Sequence, residues 1–213
     1  MRTKIKMFFE HYILFPKHIM FHPFDGYEAF KRYKKAKMSV AIVFIVLFAF
    51  FRIYQFQYES VLINPNNPLM LNSLQEIFSV VLLIFLFTVG NWSVTTLLEG
   101  KGSYKEILMV TGYALFPLVL IGFPAVYISN YLTLEEMALY QLMMGIAFTL
   151  AGWMLFMGLL NIHEYGLFKT IGSLILTVLS MSVMMFLGLL FFDLIQQFIA
   201  FIASIYDELQ LRY

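Results

Sequence analysis

Five runs of about 20 apolar residues dominate the chain, and they restrict its fold more strongly than any other feature. A helix that rises about 1.5 Å per residue needs about 20 residues to cross a hydrocarbon core of about 30 Å. Each run therefore predicts a membrane-spanning helix, and together they predict an all-α integral membrane bundle. The predicted spans are Met38 to Tyr54, Ile77 to Leu98, Ile107 to Ser129, Ala138 to Leu160 and Phe168 to Phe192.

A shorter apolar piece, Leu194 to Ile205, follows the fifth run and contains Gln196 and Gln197. Because it is too short to cross a bilayer, we expect an interfacial or folded-back helix that continues the fifth span. The chain accordingly divides into a basic N-terminal segment, residues 1–37, a five-span membrane domain, residues 38–192, and an interfacial tail, residues 193–213.

The composition agrees with a membrane protein and excludes several kinds of site. Hydrophobic residues make up 61% of the 213 residues and charged residues only 13%, which is more apolar surface than a soluble domain of this size could bury. The chain has no cysteine, which excludes disulfides, thiolate metal sites and cysteine nucleophiles. We expect neither a cofactor nor a metal ion.

Three spans are preceded by a Ser or Thr with a Glu three residues later, which is the pattern of a capping box. The pairs are Ser73 with Glu76, Ser103 with Glu106, and Thr133 with Glu136. In the stretch NWSVTTLLEGKGSYKEILMV, the residues Gly100, Lys101 and Gly102 predict a tight turn between the second and third spans. Ser103 then starts the next helix.

The distribution of lysine and arginine predicts the orientation, because these residues are retained on the cytoplasmic side of a membrane. The loops alternate between those with and those without basic residues, and the loop after the first span has none. We therefore predict a cytoplasmic N-terminus, a cytoplasmic turn at Gly100 and an external C-terminus. Nine of the fourteen basic residues precede the first span: Arg2, Lys4, Lys6, Lys17, Lys31, Arg32, Lys34, Lys35 and Lys37.

The basic stretch KRYKKAKM lies where the inner leaflet begins. Each juxtamembrane lysine or arginine gains about 1 kcal/mol from anionic lipid. The simplest interpretation is a topology signal with ordinary headgroup contacts, and the alternative is a specific site for a lipid or a partner. We expect no nucleic-acid binding, because the stretch is too close to the bilayer and no nucleic-acid module surrounds it. The residues expected to contact anionic headgroups are Lys31, Arg32, Lys34, Lys35 and Lys37.

Candidate chemical sites are few. The stretch KHIMFHPFDG contains His18, His22 and Asp25, and the two histidines have helical spacing. Pro23, directly after His22, argues against a continuous helix there, which favours a histidine pair at the membrane surface over a metal site. His163 and Glu164 lack the second histidine of a metalloprotease helix and predict a polar loop. The GKGS stretch departs from the phosphate-loop pattern and joins two membrane helices. We therefore predict no catalytic or metal-binding residue.

Ionisable groups inside a span are the usual marks of a transport path, and these spans have almost none. The amide of Asn91 is costly to leave unpaired in hydrocarbon, so we expect it to face another helix. It would serve there either as structural glue or as part of a binding surface. Pro117, together with Gly112, Gly122 and Pro124, predicts a kinked third span that a neighbouring helix approaches closely.

The run NWSVTTLLEGKGSYKEILMVTGYALFPLVL resembles the Yip family, the Ypt/Rab-interacting membrane proteins, at their most characteristic segment. The shared features are a polar helix end, a Gly-x-Gly turn, an aromatic residue with Lys-Glu, and a span with Gly-Tyr-Ala and a proline. The stretch HPFDGYEAFKRYKKAKMSV is similar to the lead-in that bacterial members place before their first span. By position, the family's turn falls on Gly100, Lys101 and Gly102, and its proline-bearing span on Tyr113 and Pro117.

The resemblance implies a non-enzymatic, multi-pass protein that acts through partners. Eukaryotic members are associated with Rab-type GTPases and with vesicle formation between endoplasmic reticulum and Golgi, through a longer cytosolic region than the 37 residues here. The bacterial branch, some of whose members accompany sugar-import transporters, is the better match. We therefore expect the bacterial inner membrane as the location, with the endoplasmic reticulum or Golgi membrane as the alternative for a eukaryotic chain.

The functional prediction is a membrane adaptor or accessory subunit that binds other membrane proteins, a transporter permease among them. The alternative is a small-solute permease or channel, which the kinked third span and the polar second span favour. An enzyme ranks third, because no nucleophile, base and orienting partner occur together. The oligomeric state stays open.

Overall fold

The computed structural model describes residues 9–33 and 35–210, which form helices and connecting loops without a strand. A π-helical turn, Glu10–Leu14, leads into two short helices, α1 (Phe15–Phe21) and α2 (Pro23–Arg32). Six more helices follow: α3 (Met38–Tyr58), α4 (Ser73–Leu97), α5 (Tyr104–Ala114), α6 (Phe116–Ser129), α7 (Met137–His163) and α8 (Leu167–Gln210). Short 3₁₀ turns, Pro68–Met70 and Leu134–Glu136, precede α4 and α7.

Within the described part of the chain, five helical segments are long and apolar enough to cross a membrane, which confirms the predicted all-α bundle. They are α3, α4, α5 with α6, α7 with its preceding turn, and α8. The first span is longer than predicted, because the helix continues past Arg52 to Tyr58. The basic residues Arg2, Lys4, Lys6, Lys34 and Arg212 lie outside the described residues.

The third span is interrupted, as the prolines predict. α5 ends at Ala114, and α6 places Pro117 in its first turn. The N–H groups of a first turn have no partner within the helix, so the absence of an N–H on proline costs no hydrogen bond there. A Cβ on Gly112 would lie 2.7 Å from the backbone oxygen of Ala41, and one on Gly122 would lie 2.6 Å from the Phe51 ring. The close approach of a neighbour, α3, is therefore confirmed on both sides of the break.

Two of the three predicted capping boxes are confirmed. Ser103 and Glu106 exchange hydrogen bonds with each other's backbone N–H groups at 3.4 and 2.8 Å, and the same reciprocal pair forms between Thr133 and Glu136. The prediction for Ser73 and Glu76 is wrong.

The cap of α4 lies one residue earlier. The side chain of Asn72 accepts the N–H of Gln75 at 3.2 Å, which makes Asn72 the N-cap and Ser73 the first helical residue. The carboxylate of Glu76 is therefore not used in capping, and it lies 3.7 Å from the guanidinium of Arg52 on α3.

The N-terminal segment is part of the core. α1 and α2 pack against α7, and Ile19, Tyr27 and Phe30 are almost completely buried in the largest apolar cluster of the protein. The ring of Tyr113, on α5, lies at the centre of this cluster and meets three phenylalanine rings edge-on. The basic lead-in to the first span is thus an amphipathic hairpin whose apolar side stabilises the bundle.

The C-terminal tail does not fold back. α8 runs without a break from Leu167 to Gln210, so the folded-back alternative is wrong, whereas the tail does continue the fifth span as a helix. The physical reason is that residues 189–210 contain neither glycine nor proline, and two glutamines are no obstacle to a helix. At about 1.5 Å per residue, these 44 residues form a rod of about 66 Å.

The contact between α5 and α3 predicts opposite effects of the same substitution at two helical glycines. Gly112→Ala should lower the free energy of unfolding by about 1–3 kcal/mol, because the new methyl group overlaps the backbone of Ala41. Gly145→Ala should raise it by about 0.5–1 kcal/mol, because a Cβ on Gly145 meets open space and alanine favours a helix. Thermal unfolding in one detergent compares the two variants. Equal effects would contradict the assigned packing.

Candidate functional site

The turn between α4 and α5 begins with an unusual helix end. Glu99 takes a left-handed conformation, φ 58°, which is the role that glycine most often has after a helix. The N–H of Gly100 then donates to the carbonyl of Thr95 at 2.7 Å, and this bond closes the last turn of α4. Since no glycine in the described residues has a positive φ, Gly100 and Gly102 are needed here for a different reason.

The two glycines make room for side chains from the end of α7. A Cβ on Gly100 would lie 2.6 Å from both His163 Nδ1 and the hydroxyl of Tyr165. A Cβ on Gly102 would lie 2.7 Å from His163 Cε1. Real Cβ atoms do not come this close to other heavy atoms. The Gly-x-Gly turn is therefore the complement of a histidine and a tyrosine about 60 residues away.

His163 is buried and joins the turn to α4. The N–H of Gly102 donates to His163 Nδ1 at 3.3 Å, so the ring proton belongs on Nε2, which lies 3.2 Å from Asn91 Oδ1. The prediction of a polar loop at His163 and Glu164 is wrong for His163, which is 2% exposed. Both ring nitrogens are committed to hydrogen bonds inside the protein.

Asn91 extends the network to the fifth span. Its amide nitrogen donates to Thr177 Oγ1 at 3.0 Å, and the hydroxyl of Thr177 donates to the carbonyl of Ser173 at 2.7 Å. Asn91 thus faces α7 and α8 at once. Satisfied polar groups of this kind hold membrane helices together, because an unpaired amide is costly in hydrocarbon.

Tyr165 packs beside the imidazole and completes the end of α4. Its ring stacks on His163 with centroids 5.3 Å apart, and its hydroxyl donates to the carbonyl of Leu98 at 3.1 Å. The ammonium of Lys169 lies over the Tyr165 ring, 4.5 Å from its centroid. Burial and the nearby carboxylate of Glu99 raise the pKa of Tyr165, so its hydroxyl stays a hydrogen-bond donor at neutral pH.

Glu164 connects three segments by charge. It ends α7 in a left-handed conformation, φ 56°, and its carboxylate oxygens bind Lys101 at 2.5 Å and Lys31 at 2.8 Å. These two ammonium groups, Lys101 above all, lower the pKa of the Glu164 carboxyl from 4.5 to about 2. Lys31 also donates to the carbonyl of Ile162 at 2.8 Å, which ties α2 to the end of α7.

We use the term glycine-turn cluster for this set of interacting residues. It contains five of the predicted site residues, Asn91, Gly100, Lys101, Gly102 and Lys31, and joins them through His163, Glu164 and Tyr165. Ser103 and Glu106 adjoin it as the cap of α5. Pro117 lies elsewhere, at the break of the third span.

The other predicted site residues surround the cluster. The hydroxyl of Tyr113 accepts the backbone N–H of Lys37 at 3.2 Å, which holds the lead-in of α3. Arg32 pairs with Glu28 on its own helix, and Lys35 and Lys37 are exposed. Lys34 lies outside the described residues.

The cluster does not have the arrangement of a catalytic or metal site. Across the part of the chain that the structure describes, no group of three His, Cys, Asp or Glu side chains could hold a metal ion. His163 lies between a backbone amide and an asparagine, with no nucleophile among its hydrogen-bond partners. What this geometry can do is to hold α2, α4, α7 and α8 and the turn before α5 together at one end of the bundle.

The residues that sequence reasoning missed are His163, Glu164 and Tyr165. The stretch NIHEYG contains a signal for the end of a helix, since a histidine at the end of an apolar run is followed by the short loop Glu164, Tyr165 and Gly166. The sequence alone does not show which residues these side chains contact, because Gly100, Gly102 and Asn91 are distant in sequence.

Comparison with known proteins gives one match. A family model described as the Yip1 domain matches residues 17–192, from within α1 to within α8. No curated protein and no solved structure matches the chain significantly.

The fit of His163 into the turn predicts that two substitutions are not additive. Gly102→Ala should lower the free energy of unfolding by about 1–3 kcal/mol, because its methyl group overlaps the imidazole. In a His163→Ala background most of this cost should disappear, because the ring is no longer there. Thermal unfolding of the four combinations measures the coupling. Gly166→Ala, where a Cβ meets open space, is the control, and fully additive effects would argue against the assigned contact.

The ion pairs of Glu164 predict a pH dependence. Since the folded pKa of about 2 lies below the ordinary value of 4.5, the carboxylate stabilises the fold above about pH 4.5, and this contribution is lost as the pH falls toward 2. The unfolding temperature of the wild type should therefore drop more steeply below pH 4.5 than that of Glu164→Gln. Glu135→Gln, at an exposed glutamate in the turn before α7, should follow the wild type. Parallel curves for the wild type and Glu164→Gln would disprove the role of the pair.

Proposed function

The chain belongs to the Yip family, and from this premise we propose that it is a non-enzymatic membrane adaptor or accessory subunit. It acts by binding another membrane protein rather than by moving a solute or transforming a substrate. The observation that carries this proposal is the exposure and length of α8.

α8 uses little of its surface inside the protein. Only 6% of the most apolar stretch of this helix is buried, compared with 28% or more in each of the other four spans. Its packing is almost confined to α4, through residues such as Thr177 and Met181. Beyond Gly188 every side chain that the structure describes is exposed. A helix that is apolar on all sides is normally buried by lipid or by protein.

The length of α8 favours protein as the cover for its far end. A rod of about 66 Å exceeds the 40–45 Å of a bilayer with its headgroups, even at the upper range of helix tilts, about 40°. Its far end nevertheless carries large apolar side chains, among them Phe198, Phe201 and Ile202, which are 51% exposed or more. Contiguous apolar surface outside a hydrocarbon core usually marks a binding site for a protein.

The partner that fits this surface is another membrane protein, because the exposed strip of α8 continues from the bilayer into the region beyond it. A transporter permease is one such partner. The N-terminal segment would lie on the cytoplasmic side, where the exposed residues Arg32, Lys35 and Lys37 can contact anionic lipid. We favour the bacterial inner membrane as the location, on the likeness of the N-terminal lead-in to bacterial members. The endoplasmic reticulum or Golgi membrane is the alternative for a eukaryotic chain.

The permease or channel alternative has less support. Its proposed path used the polar groups of the second span, but Asn91 is bound by His163 and Thr177, and Thr88 and Thr95 bond to carbonyls of their own helix. The kink of the third span is filled by Ala41 and Phe51 of α3. Thr88, Asn91 and Thr95 therefore stabilise the bundle and are not free to line a path.

The adaptor proposal predicts a position-dependent crosslink. A photoreactive phenylalanine analogue at Phe198, on the far end of α8, should give a stoichiometric adduct with a single membrane protein in native membranes. The same analogue at Phe78, on α4, is the matched control, because the two side chains are 63% and 64% exposed. It should give adducts with lipid only. Mass spectrometry of the purified adducts identifies the partner.

Two results would contradict the proposal. One is a Phe198 adduct that contains only lipid or only a second copy of this chain. The other is solute flux into liposomes that contain this chain alone, measured against empty liposomes. Phe198→Glu should abolish partner recovery while the unfolding temperature of the isolated chain stays unchanged, because this side chain is exposed.

A further inference from the structure

A second polar cluster lies at the opposite end of the bundle from the glycine turn. It consists of Arg52, Gln55 and Glu59 from the end of α3, Glu76 from the first turn of α4, and Tyr140 from the start of α7. We call it the Arg52 cluster. These positions are at the ends of three spans, so the cluster lies at the depth of the lipid headgroups.

The hydrogen bonds of the cluster use only some of the N–H donors of the Arg52 guanidinium. Arg52 Nη1 donates to Gln55 Oε1 at 3.0 Å, whereas Nη2 is 3.7 Å from Glu76, which is longer than a hydrogen bond. Glu59 accepts from the hydroxyl of Tyr140 and from the amide of Gln55. An arginine has five N–H donors, and a ligand with several acceptor oxygens can use the remaining ones.

Two cavities meet at this cluster. The first, about 370 Å³, is lined by the polar side chains of Arg52, Gln55, Glu59 and Tyr140, together with apolar residues such as Phe56 and Ile63. The second, about 350 Å³, also includes Arg52 and Gln55, but most of its wall is apolar. That apolar wall is formed by Phe48, Phe51, Val80, Leu83 and Phe148. A cavity that contains most of the charged groups and a mainly apolar cavity that shares Arg52 and Gln55 with it match an amphiphile rather than a small solute.

The charges of the cluster restrict the polar part of such a ligand. One guanidinium and two carboxylates line the two cavities. A simple anion would be attracted by Arg52 but repelled by Glu59 and Glu76, and a simple cation would have the opposite difficulty. A headgroup that carries one negative and one positive charge satisfies both kinds of group.

We propose that the Arg52 cluster binds a zwitterionic phospholipid with a primary ammonium group, which is the chemistry of phosphatidylethanolamine. The phosphate would pair with the guanidinium of Arg52, since arginine forms charge-assisted bonds with phosphate oxygens. The ammonium would donate to Glu59 and Glu76. An acyl chain would occupy the cavity beside Phe48, Leu83 and Phe148.

This site is independent of the proposed adaptor function. None of the residues that line the two cavities belongs to α8, and none belongs to the glycine-turn cluster. The site could therefore exist whether or not α8 binds a partner, and a failed crosslink at Phe198 would leave it intact.

Lipid titration of the purified, delipidated full-length chain tests the proposal. Native mass spectrometry should show dioleoyl phosphatidylethanolamine binding about tenfold more tightly than dioleoyl phosphatidylglycerol, the loss expected when the ammonium contacts are missing. Soluble glycerophosphoethanolamine has the same headgroup without acyl chains and should bind far more weakly.

Three variants make the test specific. Arg52→Gln should weaken the binding of both lipids about tenfold. The double variant Glu59→Gln, Glu76→Gln should reverse the selectivity, because the site then has a net positive charge. Leu83→Trp should reduce lipid binding by filling the apolar cavity, and because Leu83 is half exposed this variant should still fold. Lys105→Gln removes an exposed basic side chain in the first turn of α5, at the other end of the bundle, and should have no effect.

Several outcomes would overturn the proposal. Equal binding of the two lipids by the wild type would remove the zwitterion argument. Unchanged selectivity in the double variant would show that the carboxylates do not contact the headgroup. Binding of glycerophosphoethanolamine as tight as that of the lipid would assign the site to a soluble zwitterion instead.

Discussion

The packing at the glycine-turn end of the bundle depends on the buried imidazole of His163. Its two nitrogens link the turn after α4 to the side chain of Asn91, and Asn91 passes the link to α8 through Thr177. Water is excluded from a membrane interior, so each of these polar groups needs a partner within the protein. Positions 100 and 102 require glycine, because the side chain of any larger residue would overlap the imidazole of His163.

The two ends of the bundle solve different problems with similar residues. At the glycine turn, Glu164 binds two lysines, and these ion pairs tie α2 and the turn before α5 to the end of α7. At the opposite end, Arg52 faces two glutamates across open cavities, and its long contact with Glu76 leaves hydrogen-bonding capacity unused. The first end joins segments through ion pairs, and the second end has cavities beside an arginine with unused hydrogen-bond donors.

Sequence alone predicts the parts of this fold that depend on local rules. Apolar length predicts the five spans, the caps at Ser103 and Thr133 predict two helix starts, and the prolines predict the broken third span. The burial of His163 could not be predicted, because a histidine beside a glutamate at the end of an apolar run has the pattern of a solvated loop. The approach of Arg52 to Glu76 depends on how α3 and α4 pack, and the cap at Asn72 leaves the Glu76 carboxylate free of a capping role.

α8 is one continuous helix from Leu167 to Gln210. Its membrane part is held against α4 near Asn91 and Gly90, and its other end extends freely in a continuous helix. Because no glycine or proline follows Gly188 before Gln210, the free end cannot move by a local hinge. The free end is therefore joined by continuous helix to the contact with α4, where Thr177 and Asn91 share a hydrogen bond.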